Sequence, residues 1–146
     1  MKTILFLCTG NSCRSQMAEG FARRFFPKDW RVISAGVRAD GQNPKALAVM
    51  SEIGFDISNQ QSKTVASLGE ISPDIVITLC DHAKEVCPFY PNATLREHWG
   101  LNDPADATGS PEEVLAVYRR VREEIRERVE KLAAGFKGCG CSCGCC

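Results

Sequence analysis

Apolar residues fall along this chain in two alternating patterns, short unbroken runs and stripes at helical spacing. Residues 2–7, Lys2-Thr3-Ile4-Leu5-Phe6-Leu7, form a compact run of strand length that stops at a Gly-Asn-Ser loop. Met17, Ala18, Phe21 and Phe25 then recur at helical spacing until Pro27. A second strand is predicted over 31–35, ending at Gly36. Ala46, Leu47, Val49, Met50 and Ile53 predict a helix over 44–53, closed by Gly54. A third strand, rich in β-branched residues, is predicted over 74–79, and a weaker fourth over 93–97. The last element is the plainest helix. Ser110 can cap it, Pro111 fits its first turn and Glu113 completes a capping box. Val114, Val117, Val121, Ile125, Val129 and Leu132 then form one apolar stripe that ends at Gly135.

Strands alternating with helices predict an α/β fold built on an open, mostly parallel sheet. Such sheets place their ligand beyond the carboxyl ends of the strands. Functional residues should therefore fall just after strands.

Length and charge narrow this picture rather than redirect it. A chain of 146 residues suits one domain, expected over 1–135, followed by a flexible Cys-rich tail over 136–146. Basic and acidic side chains balance at 18 each, so no overall field points to nucleic acid or an anionic membrane. An anionic substrate would need local charge. The opening apolar run is too short for a signal peptide, and no segment has the apolar length of a membrane span. A cytoplasmic monomer is the expectation.

Nine cysteines change the picture more. Cys8, Cys13, Cys80 and Cys87 lie in the body, and five more crowd the last eight residues. In a cytosolic chain of this size, such cysteines point to catalysis or metal binding rather than a disulfide scaffold. Cys8 directly follows the first strand, and Arg14 lies six positions on, where the helix begins. A loop of this length can curl so that the backbone N–H groups of Thr9, Gly10, Asn11, Ser12, Cys13 and Arg14 converge on one oxyanion. The helix N-terminus adds its positive end, and the Arg14 guanidinium suits a bidentate grip. The same cup favours the Cys8 thiolate, the form that attacks. Ser15 is placed to donate a hydrogen bond to that thiolate. Cys13 reads as a small buried residue of the loop.

Cys-Thr-Gly-Asn-Ser-Cys-Arg-Ser-Gln-Met-Ala-Glu-Gly, residues 8–20, resembles the low-molecular-weight protein tyrosine phosphatase superfamily, and within it the thioredoxin-coupled arsenate reductase branch. The resemblance continues through Ser34-Ala35-Gly36, Asn43-Pro44-Lys45-Ala46, Asp56-Ile57-Ser58-Asn59, Val76-Ile77-Thr78-Leu79-Cys80 and Glu97-His98-Trp99-Gly100 with Asp103-Pro104. It implies a four-stranded parallel sheet flanked by helices, a Rossmann-like three-layer arrangement.

Two features separate a reductase from a phosphatase. Cys80 directly follows the third strand, on the side of the sheet where the oxyanion loop must lie, and Cys87 comes seven residues later. Ester hydrolysis needs one nucleophile and water, whereas reduction needs two electrons, which a relay of three thiols can supply. The resemblance implies that Cys8 attacks arsenate, that a Cys8–Cys80 disulfide then releases arsenite, and that Cys87 converts it to Cys80–Cys87. Residues 81–86 would have to loosen, and thioredoxin or another thiol reductant would reset the chain in arsenic detoxification. Asp103 is the candidate general acid. Ala105, Asp106 and Ala107 stand where the superfamily's phosphatases carry aromatic residues, and Gln16 stands where they carry Pro. Both depart from the alternative, a low-molecular-weight protein tyrosine phosphatase. Weak phosphatase activity remains compatible with the loop, since phosphate and sulfate resemble arsenate in shape and charge.

Some reductases of this branch bind potassium through residues that match Asn11, Glu19 and Ser34. Here Lys63 falls near the remaining ligand position; its ammonium either takes the place of the ion and pairs with Glu19 or is a solvated lysine, and no cofactor is required. His82 and His98 lack metal-ligand spacing and read as local hydrogen-bonding residues, and Trp99 is expected to pack at the sheet edge. Cys139, Cys141, Cys143, Cys145 and Cys146, spaced by Gly and Ser, either hold a soft ion or arsenite or form a tail of oxidisable thiols with no specific role. A metal-responsive binding protein that has lost catalysis is a further reading, disfavoured by Cys8, Arg14 and Asp103 together.

Overall fold

In a computed structural model, residues 2–88 and 90–136 of the chain are described. Four strands, β1 (Lys2–Cys8), β2 (Trp30–Gly36), β3 (Ile75–Thr78) and β4 (Leu95–His98), pair in parallel in the order β2-β1-β3-β4. Four helices connect and cover them: α1 (Arg14–Phe25), α2 (Pro44–Ser51), α3 (Asp81–Val86) and α4 (Pro111–Ala134). The chain runs outward from β1 to β2, then crosses back to β3 on the other side of β1. That reversal puts the crevice of the sheet at the carboxyl ends of β1 and β3. Cys8 ends β1, and Cys80 stands two residues past the end of β3.

The central strands are buried on both faces, which is why β1 reads as an unbroken apolar run rather than an alternating one. Ile4, Leu5 and Phe6 have no exposed surface, and neither do Met17 and Phe21 of α1 or Ile125 and Val129 of α4. The capping box of α4 forms as its residues predict, with Ser110 Oγ accepting from the Glu113 N–H at 3.1 Å and Glu113 Oε1 from the Ser110 N–H at 3.2 Å. Tyr118 and Arg122 are buried beside the expected stripe, and Arg122 ties α4 to α2 through the Val49 carbonyl at 2.9 Å.

The second and third strands differ by one residue at each end, spanning Trp30–Gly36 and Ile75–Thr78, and three further elements differ from the sequence expectation. The fourth strand spans Leu95–His98 rather than 93–97, because its partner β3 sets its register, Ile75 opposite Leu95 and Thr78 opposite His98. As an edge strand it is only partly buried, so its pattern is weak. α2 stops at Ser51, and a turn then reaches Gly54 at φ 81°. α3 is a short helix where the sequence suggested only a connecting segment. It has six residues, of which Ala83 alone is buried. Phe136, the first residue of the expected tail, packs on Trp30 and Phe26 with ring centroids 5.1 and 6.2 Å apart, so the packed body runs one residue further.

Candidate active site

The loop between β1 and α1 is shaped from outside. The carbonyls of Cys8, Thr9, Gly10 and Ser12 accept from the N–H groups of Val37, Arg38, Asp40 and Asn43 at 2.9–3.2 Å. With these oxygens turned outward, the N–H groups of Gly10 to Arg14 are left without an acceptor among the described residues. This is the concave row of donors that an oxyanion needs. Asn11 makes the bend at φ 48°, a left-handed conformation that Asn tolerates better than most residues. Gly36 lets the loop approach closely, since a Cβ there would lie 2.7 Å from both the Asn11 nitrogen and the Thr9 oxygen.

Cys8 is buried, and its Sγ lies 2.8 Å from Ser15 Oγ. Asn11 Nδ2 donates to that same Ser15 oxygen at 2.8 Å. With Asn11 donating to its oxygen, the Ser15 hydroxyl is placed to donate its own hydrogen to the sulfur. Arg14 is buried too. One of its nitrogens donates to the Leu101 carbonyl at 3.0 Å and to the Leu79 carbonyl at 3.5 Å, and the other lies 3.4 Å from Asp103 Oδ2. Asp103 caps a short 3-10 turn, Pro104–Asp106, by accepting from the Ala105 N–H at 3.0 Å. Thr9, Arg14, Cys80, Asp81, Leu101 and Asp103 contribute to the walls of a cavity of about 370 Å³ at this end of the sheet.

Cys80 meets the cup from β3. Its Sγ lies 3.0 Å from Oγ1 of Thr9, the residue after Cys8. It also caps α3, accepting from the Ala83 N–H at 3.4 Å, so the positive end of that helix faces the sulfur. Cys87 lies past the other end of α3, half-buried, with its thiol donating to the Pro88 carbonyl at 3.4 Å. Burial pushes the Cys87 thiol up from its ordinary range, against the opposing pull of Arg96. Burial raises Cys13 much further, helped by the charge of Asp103, and keeps it a neutral thiol, in line with a packing role. All four body cysteines are free thiols.

Behind the loop, Ser34 Oγ accepts from Asn11 Nδ2 at 2.9 Å and donates to Glu19 Oε1 at 2.6 Å. Glu19 is fully buried, paired with Arg23 at 2.7 Å, and the Lys63 ammonium stands 3.9 Å from it. Burial lowers the Lys63 pKa, with Glu19 opposing and Arg23 adding to the fall. His98 is a local hydrogen-bonding residue as expected, 2.8 Å from Thr78 Oγ1 and 2.9 Å from Asp81 Oδ1. His82 is exposed, and Trp99 is buried against Phe6 at the edge strand.

The structure thus brings together Cys8, Ser15, Arg14, Cys80 and Asp103 and leaves Cys87 a helix away. The five tail cysteines, Cys139, Cys141, Cys143, Cys145 and Cys146, lie outside the described residues. Sequence reasoning did not find the 37–43 segment that turns the loop carbonyls outward, nor a cluster of glutamines, Gln16, Gln42 and Gln60, behind Asn11. Only Gly36 hinted at the first.

The family model described as low molecular weight phosphotyrosine protein phosphatase matches residues 3–138. The arsenate reductase of Halalkalibacterium halodurans is 52% identical over 132 residues, covering 90% of this chain and 95% of that protein. Solved structures of an arsenate reductase in the phosphate binding state and in the oxidized state are 38% and 36% identical, with TM-scores of 0.80 and 0.81. Both comparisons cover 94% of this chain and 100% of the other.

Proposed function

The chain belongs to the low molecular weight phosphotyrosine protein phosphatase family, and we propose that within it this chain is an arsenate reductase driven by three of its own thiols. One observation carries the thiol relay: a second cysteine, Cys80, stands at the mouth of the oxyanion cup, 3.0 Å from the hydroxyl of Thr9.

Arsenate binds to the loop N–H groups and Arg14. The Cys8 thiolate attacks arsenic, Asp103 gives a proton to the departing oxygen, and water leaves behind a Cys8–arsenate adduct. The Cys80 thiolate then attacks the Cys8 sulfur. The sulfur–arsenic bond breaks with its electron pair on arsenic, which leaves as arsenite, and a Cys8–Cys80 disulfide remains. Cys87 attacks Cys80, and Cys8 departs as a thiolate. An external dithiol of the thioredoxin type reduces the Cys80–Cys87 disulfide. In sum, arsenate and two thiols give arsenite, a disulfide and water.

The six residues of α3 lie between Cys80 and Cys87, and seven steps of about 1.5 Å put their Cα atoms about 10 Å apart. A disulfide tolerates no more than about 7 Å, so α3 has to unwind for the last exchange. Its short length and single buried residue make that inexpensive. The turn after Asp103 carries Ala105, Asp106 and Ala107, with no aromatic wall for a phosphotyrosine ring. That favours reduction over the phosphatase alternative, while leaving slow hydrolysis of small phosphate esters open to Cys8, Arg14 and Asp103.

Reduced protein mixed with one equivalent of arsenate, without reductant, should form one arsenite per chain and, once bound arsenite is stripped from the denatured chain, show the loss of two titratable thiols. Arsenite without thiol loss, or thiol loss without arsenite, would overturn the reading. Five thiols among Gly and Ser suit trivalent arsenic, so the tail is read as a site that retains the product. A chain ending at Lys137 should reduce arsenate equally well and hold less arsenite on gel filtration; equal retention would remove the tail from the scheme.

No cofactor enters this reading. Lys63 supplies the positive charge behind Asn11, Glu19 and Ser34 that a bound cation would otherwise provide. Turnover should be the same in sodium and potassium buffers of equal ionic strength, and severalfold stimulation by potassium would contradict the assignment. A monomer working in the cytoplasm, where thiols stay reduced, completes the proposal; among the described residues no helix is long and apolar enough to cross a membrane.

A further inference from the structure

We propose that Gln16 is a positioning residue for the nucleophile, the hub of an amide chain that fixes Asn11 and, through Ser15, the hydrogen bond to Cys8. The inference rests on the reading of Cys8 as the nucleophile.

Gln16 lies in the first turn of α1 with no exposed surface. A buried side-chain amide persists only when its donors and acceptor are used, and here they all are. Nε2 lies 3.1 Å from the Asn11 carbonyl, 3.1 Å from Asn11 Oδ1 and 3.1 Å from the Gln61 carbonyl. Oε1 accepts from Gln60 Nε2 at 2.9 Å and, more loosely, from Gln42 Nε2 at 3.4 Å. Gln60 Nε2 also reaches the Gln16 carbonyl at 2.9 Å, and Gln42 Nε2 the Ile57 carbonyl at 2.6 Å. Two glutamines from other segments thereby set which end of the Gln16 amide faces the loop.

That orientation propagates. Gln16 Nε2 and the Lys63 N–H both donate to Asn11 Oδ1, the latter at 2.8 Å, so the Asn11 amide cannot turn over. Its Nδ2 must then face Ser15 Oγ and Ser34 Oγ. With Asn11 donating to its oxygen, the Ser15 hydroxyl is placed to give its own hydrogen to Cys8 Sγ, 2.8 Å away. The same contact with the Asn11 carbonyl holds the residue in its left-handed bend, on which the direction of the loop N–H groups depends.

The test uses full-length Gln16→Met and Gln60→Met proteins, the first nearly isosteric but without hydrogen-bonding groups. Iodoacetamide modification of the Cys8 peptide is followed by mass spectrometry across pH, and phosphate affinity by protection of that peptide. In Gln16→Met the modification rate at neutral pH should fall about fivefold to tenfold, its pH profile should move higher, and the phosphate Kd should rise about tenfold, the scale of one or two lost hydrogen bonds. Gln60→Met should shift both in the same direction by less. A merely structural glutamine would lower Tm and leave the profile where it was. Folded Gln16→Met with the wild-type profile and phosphate Kd overturns the proposal. Should Gln16→Met fail to fold, Gln60→Met decides, and wild-type behaviour there overturns it equally.

Discussion

Cys80→Ser protein stops with arsenate joined to Cys8, and its single-turnover release of arsenite falls by about a thousandfold or more, the scale expected when a covalent step loses its nucleophile. A hydroxyl at this position retains a hydrogen bond to Thr9 but cannot open a sulfur–arsenic bond by forming a disulfide. Hydrolysis of p-nitrophenyl phosphate, assigned under the proposal to Cys8, Arg14 and Asp103, should survive in the same protein. Cys87→Ser behaves differently. It releases one arsenite per chain at close to the wild-type rate, then halts with Cys8 joined to Cys80, and a thioredoxin-type dithiol supports no sustained turnover. The contrast places the two cysteines in sequence, because each leaves a different trapped species for mass spectrometry. Arsenite release at the full rate from Cys80→Ser would sink the relay.

The placement of Cys8 and Cys80 at one end of the sheet was legible in the chain itself. Both follow strand runs at once, and the carboxyl-end rule for parallel sheets puts both at that end, which the reversal of the chain at β1 makes a shared crevice. The loop from Cys8 to Ser15 was legible for a related reason, since strand, turn and helix N-terminus are consecutive and need no distant partner. α3 was not. Six residues with one buried alanine leave no apolar stripe to read, and its N-cap is a thiol rather than one of the usual capping residues. β4 was blurred because an edge strand shows partial burial and takes its register from β3. The outward turn of the loop carbonyls depends on backbone N–H groups of 37–43, which write nothing into side-chain pattern. The glutamine hub is hidden in another way. Gln16, Gln42 and Gln60 converge from three segments, and polar residues that satisfy one another in a core look, one at a time, like solvated surface.

Arg14→Lys keeps the charge and should still lose about two to three powers of ten in kcat/KM for arsenate, because the site uses geometry that an ammonium lacks. The buried guanidinium answers the carbonyls of Leu79 and Leu101 on one side and the Asp103 carboxylate on another, and remains planar toward the cup. A lysine ammonium is a point charge at the end of a flexible stem. It cannot serve the two carbonyls, the carboxylate and an incoming oxyanion together, so either the Leu79 and Leu101 carbonyls lose their donor or the anion does. The loss should divide between the parameters. Arsenate KM and the phosphate Kd should rise, since ground-state grip weakens, and kcat should fall, since Asp103 no longer stands where its guanidinium partner held it. Long-range attraction of the anion, which depends on charge alone, should survive and give Arg14→Lys the same slope of log kcat/KM against ionic strength as wild type. A kcat/KM within threefold of wild type would show that charge suffices and that the planar grip has no part in recognition. A flattened salt slope would show instead that the lysine had swung out of the cup, a failure of placement, which the phosphate Kd measured on the same protein would register independently.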